Sequence, residues 1–157
     1  MTANQISHQF DTSDATALAA AALGPMLEPG DTVLLNGPVG AGKTHFARHL
    51  IRSVLIAPED IPSPTFTLVQ TYDTIVGPLW HADLYRIGTV GEIEELGLGE
   101  AFETAICLVE WPDRLGELRP ENALNIWLKD GASEDSRMLC ADWLNPRWTE
   151  KMKAWVL

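Results

Sequence analysis

The chain has 157 residues and a formal net charge of −11, which predicts one domain with its own core and excludes direct binding of DNA. An acidic chain also repels RNA, so any RNA in its pathway is expected on a partner protein. The start MTANQISHQF does not resemble a signal peptide, and no apolar run reaches the length of a membrane span. The two isolated thiols, Cys107 and Cys140, form no metal or CxxC pattern and suit a reducing cytosol, so we expect a cytoplasmic protein. Without an apolar span we expect no membrane contact.

The first predicted element is a helix over 11–27, with Leu18 on its apolar face. After the break PGD, the run TVLLN at 32–36 is short and apolar, as in a buried central strand. A loop over 37–43 and a helix over 44–55 follow.

The middle of the chain predicts a hairpin, a helix and a strand. TFTLVQTY at 65–72 alternates like a strand, and LWHADLY at 79–85 is its expected partner. Thr89 and Glu92 have the spacing of a capping box, which predicts a helix start. AICLVE at 105–110 is a second apolar strand.

The end of the chain predicts two strands and a helix. NALNIWLK at 122–129 and SRMLCADW at 136–143 flank DGASED, and NPRWTEKMKAWVL at 145–157 is helical with Asn145 as its cap. The stripe of Trp148, Met152 and Trp155 is more typical of core packing than of a partner site. The mixture of strands and helices indicates an α/β fold with a mixed sheet.

One motif predicts a bound phosphate. GPVGAGKT fits the P-loop pattern G-x-x-x-x-G-K-[ST], with a strand before it and a helix after it. Its glycines let backbone N–H groups turn toward anionic oxygens, and the next helix directs its positive end there. The motif therefore predicts a nucleoside triphosphate, Mg²⁺ and a P-loop NTPase-like three-layer α/β/α domain over 1–157, with a mixed parallel and antiparallel sheet. The residues predicted to contact the nucleotide are Gly37, Val39, Gly40, Ala41, Gly42, Lys43 and Thr44.

Three further side chains are candidates for the metal and the attacking water. Glu110 ends an apolar strand, Asp83 lies in HADLYR, and Thr65 follows two stiffening prolines in SPTFTLVQTY. Each has a structural alternative. Glu110 could be a surface residue at a strand end, and Thr65 could belong to an edge strand. For Asp83 the structural alternative is to cap the next turn or to pair with Arg86, and it has about the same weight as the functional role.

The chain resembles the TsaE (YjeE) family, the ATPase component of bacterial tRNA threonylcarbamoyladenosine synthesis. The resemblance covers roughly residues 10–120. It rests on five segments in order, GPVGAGKT, SPTFTLVQTY, HADLYRI, EELGL and CLVEWPDRL. The P-loop is shared with many families, whereas the other four segments in this order are specific to this one.

The resemblance implies a role for each matching residue. Lys43 and Thr44 would hold phosphate and Mg²⁺, and Thr65 would be a switch threonine that contacts the metal. Asp83 and Glu110 would flank the metal and the attacking water. Lys43, Thr65, Asp83 and Glu110 would therefore be the catalytic residues, with ATP and Mg²⁺ bound.

Three positions near the nucleotide are implied less directly. Trp111 would lie beside the site, and Ser13 matches a place that contacts the base or ribose. Family members often carry a Gly-Arg pair in the late hairpin, where this chain has DGASEDSRM with Glu134 in place of that arginine. Two alternatives stay open: Arg137 takes its place, or the hairpin does not contact the nucleotide.

The resemblance implies an ATPase that drives a cycle in the TsaB–TsaD pair, with tRNA held only through the complex. The main alternative is a small-molecule kinase, although the arginines beyond the P-loop helix form no cluster of the kind that kinases place over phosphates. A guanine-specific switch is disfavoured, because LKDG at 128–131 does not fit [NT]-K-x-D. A module that binds ATP without hydrolysing it is the third alternative.

Overall fold

One seven-stranded sheet organises the computed structural model, which describes residues 4–155 and 157. The strand order is β1-β7-β6-β2-β5-β4-β3, and the strands span Asn4–Phe10 (β1), Thr32–Asn36 (β2), Val69–Thr74 (β3), Gly77–Asp83 (β4), Ile106–Glu110 (β5), Leu124–Asp130 (β6) and Arg137–Trp143 (β7). The central strands β6, β2, β5 and β4 are parallel, whereas β3, β7 and β1 run antiparallel to their neighbours. This topology confirms the predicted mixed sheet.

Helices cover both faces of the sheet. The α-helices span Ser13–Leu23 (α1), Lys43–Arg52 (α2), Val90–Glu95 (α3), Leu98–Thr104 (α4) and Arg147–Ala154 (α5), with short 3-10 helices at Gly24–Met26 and Pro112–Leu118. Because neighbouring strand residues point to opposite faces, Val33 packs in one core with α1, α2 and α5, and Leu34 packs in the other with α3 and α4. The predicted three-layer α/β/α arrangement is confirmed.

The parallel centre brings three strand ends to one edge of the sheet. Glu110 pairs in register with Leu35 of β2 and with Asp83 of β4. The P-loop leaves β2 one residue after Asn36, at this same edge. Residues that are distant in sequence therefore meet where ligands commonly bind in α/β folds.

The first helix differs from the prediction in its end and in its buried face. The α-helix stops at Leu23, and Leu18 is 72% exposed. The helix buries a different face, which includes Ala19 and Ala20, and these small side chains are fully enclosed beside α2. Small residues allow close helix packing, so the contact with α2 decides which face turns inward.

The predicted hairpin forms, but its first strand begins later than expected. Residues 65–68 form a turn in which Leu68 has φ +68° and its N–H donates to Pro64 O at 2.7 Å. The strand prediction over 65–72 is therefore correct only from Val69 onward. Strand β1 and helix α4 were not predicted.

Two predicted helices begin with capping hydrogen bonds from the expected residues, although the bonded atoms or the first helical residue differ slightly from the prediction. Thr89 Oγ1 accepts from Glu92 N at 3.3 Å, while the Glu92 carboxylate accepts from Gly88 N rather than from Thr89 N. At the last helix, Asn145 Oδ1 accepts from Arg147 N at 2.9 Å, and the helix begins at Arg147.

The apolar stripe of the last helix is buried as predicted. Trp148, Met152 and Trp155 all belong to the core on the α1 and α2 side of the sheet. In the described part of the chain, no helix has the length and apolar character needed to cross a membrane.

Candidate active site

The loop between β2 and α2 adopts backbone conformations that depend on glycine. Gly37, Gly40 and Gly42 have φ of +147°, +82° and +99°. At Gly37 a Cβ would lie 2.3 Å from Leu128 O, so any side chain there would collide with β6. At Gly40 a Cβ would meet nothing within 4 Å, which indicates open space beside the loop.

A cleft of about 420 Å³ lies over the loop. Nine of the predicted site residues line it, from the P-loop, the turn after Pro64 and the ends of β4 and β5. The cleft is lined by Val39, Gly40, Gly42, Lys43, Thr44, His45, Thr65, Asp83, Tyr85, Glu110 and Trp111.

Lys43 is folded back onto its own loop. Its Nζ donates to Gly37 O at 2.7 Å and to Pro38 O at 2.9 Å, and lies 4.2 Å from the centre of the Trp111 ring. Burial lowers the pKa of Lys43, while the carboxylates of Glu110 and Asp83 oppose that shift. The ammonium group is thus held against its own loop by two carbonyl oxygens.

Glu110 is bonded through both carboxylate oxygens. Thr44 Oγ1 donates to Oε1 at 2.7 Å, and His81 Nε2 lies 2.7 Å from Oε2. Glu110 is 2% exposed and His81 is fully buried. The bonds join the first turn of α2, the end of β5 and the middle of β4 in one buried polar chain.

Asp83 ends β4 beside Glu110, at matching positions of neighbouring parallel strands. Its Oδ1 accepts from Tyr85 N at 3.0 Å, so it caps the following turn, as one structural alternative proposed. Among the described residues it has no ion pair with Arg86, whose guanidinium lies 4.6 Å from the Phe66 ring centre. Burial raises the pKa of Asp83, and the Glu110 charge acts in the same direction.

The donor atoms in the cleft fit Mg²⁺. The hydroxyl of Thr44 and the carboxylates of Asp83 and Glu110 are hard oxygen ligands. Within residues 4–155 and 157, no group of three or more His, Cys, Asp or Glu side chains could hold a metal by itself. Mg²⁺ in proteins commonly uses one or two carboxylates and takes further ligands from water and substrate phosphates.

Thr65 lies at the cleft in the turn that precedes β3. Its hydroxyl is 2.7 Å from the Ser63 hydroxyl, and the side chain is half-buried. The residue is therefore not part of an edge strand, which was its structural alternative.

Trp111 has a strained backbone beside the cleft. Its φ of 59° and ψ of 54° are left-handed, which is uncommon for a bulky residue and often marks a functional site. Its ring lies against Lys43 and is 4.9 Å from the ring centre of Tyr85. The strained turn therefore brings an aromatic face to the P-loop lysine.

Arg137 reaches the P-loop from its outer side. Its Nε donates to Ala41 O at 3.1 Å, and its Nη2 to Gly40 O at 3.4 Å. The late hairpin thus contacts the loop, but Arg137 does not line the cleft. Glu134 is exposed and contributes its backbone oxygen to the same guanidinium, at 2.6 Å.

Ser13 lies at the start of α1, outside the cleft lining. Its side chain is exposed, and its backbone oxygen is 3.2 Å from His45 Nε2. His45 lines the cleft, so the start of α1 is one contact away from it.

Three residues of the site were not identified from the sequence, namely His45, His81 and Tyr85. His81 could have been found, because it stands two residues before Asp83 on a strand and therefore points to the same face. His45 and Tyr85 follow Thr44 and Asp83 closely, but only the turn of the backbone directs them into the cleft.

Comparisons with known proteins identify the family. The sequence model of the family described as "Threonylcarbamoyl adenosine biosynthesis protein TsaE" matches residues 10–139. A protein from Rickettsia bellii named tRNA threonylcarbamoyladenosine biosynthesis protein TsaE is 38% identical over 131 residues, which cover 83% of this chain and 90% of that one. A Bacillus subtilis protein of the same name is 40% identical over 111 residues, or 70% of this chain and 68% of that one.

A solved structure is similar over nearly the whole chain. The crystal structure of YdiB from Bacillus subtilis superposes with a TM-score of 0.80 and 27% sequence identity, covering 98% of this chain and 95% of that one. The structural similarity therefore extends beyond the residues 10–139 that the family model matches. The chain belongs to the TsaE family of threonylcarbamoyladenosine biosynthesis proteins.

Proposed function

We propose that this protein binds ATP with Mg²⁺ and hydrolyses it as the ATPase component of tRNA threonylcarbamoyladenosine synthesis. The observation that carries the proposal is the 2.7 Å hydrogen bond from Thr44 Oγ1 to Glu110 Oε1. It joins the P-loop helix to a buried carboxylate, in a cleft that also contains Lys43 and Asp83. The proposed phosphate site and a carboxylate able to act on water would therefore share one cleft.

The chain's own groups divide the work in the proposed reaction. Backbone N–H groups of the P-loop and the ammonium of Lys43 bind the phosphates. Thr44, Thr65, Asp83 and Glu110 would hold Mg²⁺, which when bound neutralises charge on the phosphates. Glu110 or Asp83 accepts a proton from the attacking water, and Thr65 orders its turn around the γ phosphate.

Membership of the TsaE family assigns the protein to threonylcarbamoyladenosine synthesis. Its partner proteins in that pathway are part of our proposal. We propose that ATP turnover drives the cycle of a TsaB–TsaD pair in the cytoplasm, with tRNA contacted only through that complex. The net charge of −11 supports the second point, because binding of nucleic acid requires neutralisation of many phosphates. The proposal includes no contact with DNA or with membranes.

Hydrolysis is favoured over transfer to a small molecule by the charges around the cleft. Of the Lys and Arg side chains in the described residues, Lys43 alone lines it. Arg137 is bonded to loop carbonyls, and Arg86 lies on Phe66. Small-molecule kinases usually surround the transferred phosphate with several cations.

The test is calorimetric titration of ATP with and without Mg²⁺ into the wild type and Lys43→Ala. Loss of a charge-assisted contact should weaken binding by about 1.5–3 kcal/mol, or roughly 10- to 150-fold. Lys153→Ala is the matched control, since Lys153 is exposed on α5 and pairs only with Glu150 among the described residues. Unchanged binding by Lys43→Ala would contradict the proposal.

A competition experiment tests whether the site prefers adenine to guanine. We expect ATP to bind more tightly than GTP, because the sequence lacks the segment by which guanine-specific switches read their base. Labelled ATP bound to the wild type is displaced with unlabelled ATP or GTP. Equal potency of the two competitors would remove the adenine preference.

A further inference from the structure

A histidine that the sequence patterns left without a role is bonded to the central carboxylate of the site. His81 lies in β4, two residues before Asp83, and its side chain has no exposed surface. Its Nε2 is 2.7 Å from Glu110 Oε2, while the other oxygen of Glu110 accepts from Thr44. Both ends of the carboxylate are therefore constrained, one by the P-loop helix and one by β4.

The surroundings of the ring determine which nitrogen carries the proton. Among the described residues, His81 Nδ1 is buried without a hydrogen-bond partner. A proton on Nδ1 alone would leave two lone pairs, on Nε2 and on Glu110 Oε2, facing each other at 2.7 Å. It would also leave a buried N–H unpaired, which is costlier than an unpaired acceptor. The proton therefore belongs on Nε2, which donates to Glu110.

We propose that His81 is a positioning residue whose Nε2–H holds the Glu110 carboxylate in the orientation that Thr44 and the metal require. The proposal rests on the proposed function, in which Glu110 acts at the metal. A glutamate side chain has three rotatable bonds, and fixing one oxygen from β4 removes the need to order it when the metal binds. Hydrogen bonds that orient metal ligands are commonly worth 10- to 100-fold in metal affinity.

A purely structural role for His81 would have a different signature. If His81 only fills space, polar side chains of similar volume should all change ATP affinity to the same extent when they replace it. A positioning role depends on where the donor atom lies. The amide nitrogen of glutamine superposes on Nε2 of histidine, whereas that of asparagine superposes on Nδ1 and falls short of Glu110.

The first test compares His81→Gln with His81→Asn by titrating ATP in Mg²⁺ and in EDTA. We expect the asparagine variant to lose 10- to 100-fold in ATP affinity in Mg²⁺, and the glutamine variant to stay within about threefold of wild type because its donor remains. In EDTA all three proteins should bind alike, since the P-loop and Lys43 are unchanged. Equal behaviour of the two variants in Mg²⁺, whether both lose affinity or both keep it, would overturn the proposal.

The second test needs no nucleotide, metal or activity. Nitrogen-15 NMR of the metal-free wild type reports which ring nitrogen of each histidine carries a proton, and the chain has four histidines. The His81 signals are those that are missing from His81→Gln. A protonated Nε2 supports the proposal, and an unprotonated Nε2 overturns it. If wild type fails to bind ATP, the proposed function fails, whereas this spectrum still decides whether His81 donates to Glu110.

Discussion

Glu110 combines a negative charge with nearly complete burial at the end of β5. It is 2% exposed, and a buried carboxylate without partners would strongly destabilise the fold. Hydrogen bonds with Thr44 and His81 offset that cost. Glutamine has nearly the same shape without the charge, although its amide nitrogen cannot accept one of these two bonds.

We expect Glu110→Gln to bind ATP in EDTA within a few-fold of wild type, and to bind it about 10- to 100-fold more weakly in Mg²⁺ because a ligand of the metal loses its charge. At saturating ATP and Mg²⁺ it should lose hydrolysis by at least about 100-fold, because a neutral amide cannot accept a proton from water. Calorimetry measures binding, and phosphate release measures turnover. Glu94→Gln is the control, since Glu94 is exposed on α3. Normal hydrolysis at saturating ATP and Mg²⁺ would instead make Glu110 chiefly a metal anchor.

Asp83 gives a pH dependence of stability. Burial raises its pKa above the ordinary value of 3.8, so the folded state holds this proton more tightly than the unfolded chain does. Between 3.8 and the raised pKa, the folded state binds more protons, and stability falls as the pH rises through this window. At neutral pH, ionised Asp83 is therefore unfavourable for the nucleotide-free fold.

We expect Asp83→Asn to raise the melting temperature at pH 7 in EDTA, because asparagine keeps the acceptor for Tyr85 N and removes the buried charge. The advantage should shrink as the pH is lowered toward 3.8, where wild-type Asp83 also becomes neutral. Melting curves across this range test both points, with exposed Asp113→Asn as control. A lower melting temperature at pH 7 would mean that attraction to Lys43 outweighs the cost of burial.

At the scale of elements, the P-loop is shaped by the strands beside it. Gly37 lies so close to Leu128 O in β6 that there is no room for a side chain. On the hairpin side, Arg137 donates to the carbonyl oxygen of Ala41. Loop conformation and sheet packing are therefore linked at the entry to the loop, whereas Gly40 faces open space.

This difference predicts unequal costs for two alanine substitutions. Both glycines have positive φ, so each variant should lose about 1–2 kcal/mol of unfolding free energy to backbone strain. Gly37→Ala should lose about 1–3 kcal/mol more, because its Cβ meets the β6 backbone. Urea denaturation of both variants and the wild type measures the difference. Equal losses would show that β6 yields to the added methyl group.

At the scale of the whole molecule, the surface limits what the protein can do alone. Its net charge of −11 opposes the RNA backbone. Around the cleft, Val39 is 76% exposed and Phe66 is 80% exposed. A partner that covers these side chains could supply the second cation that P-loop switches often receive in trans.

We therefore expect slow ATP hydrolysis by the isolated protein, a changed rate when the TsaB–TsaD pair is added, and tighter docking to that pair in the presence of ATP. Steady-state rates are measured with the pair and with tRNA, separately and together. A high rate for the protein alone that no addition changes would contradict this expectation. Tight tRNA binding by this chain at physiological salt would contradict it as well.

Features that depend on neighbours in the sequence were predictable. The P-loop conformation follows from its glycines, β2 and β5 from short apolar runs, and the buried stripe of the last helix from its spacing. Each depends on local backbone geometry and on hydrophobic periodicity. The parallel pairing of β4 with β5 also follows, because these two strands are joined through the helices α3 and α4.

The tertiary structure decided which side chains meet. The bond between His81 and Glu110 joins positions 29 residues apart, and the bond between Arg137 and Ala41 joins positions 96 apart. The exposure of Leu18 likewise depends on which face of α1 packs on α2. No local pattern encodes these contacts, because register, strand order and helix packing together determine the distance between residues far apart in the chain.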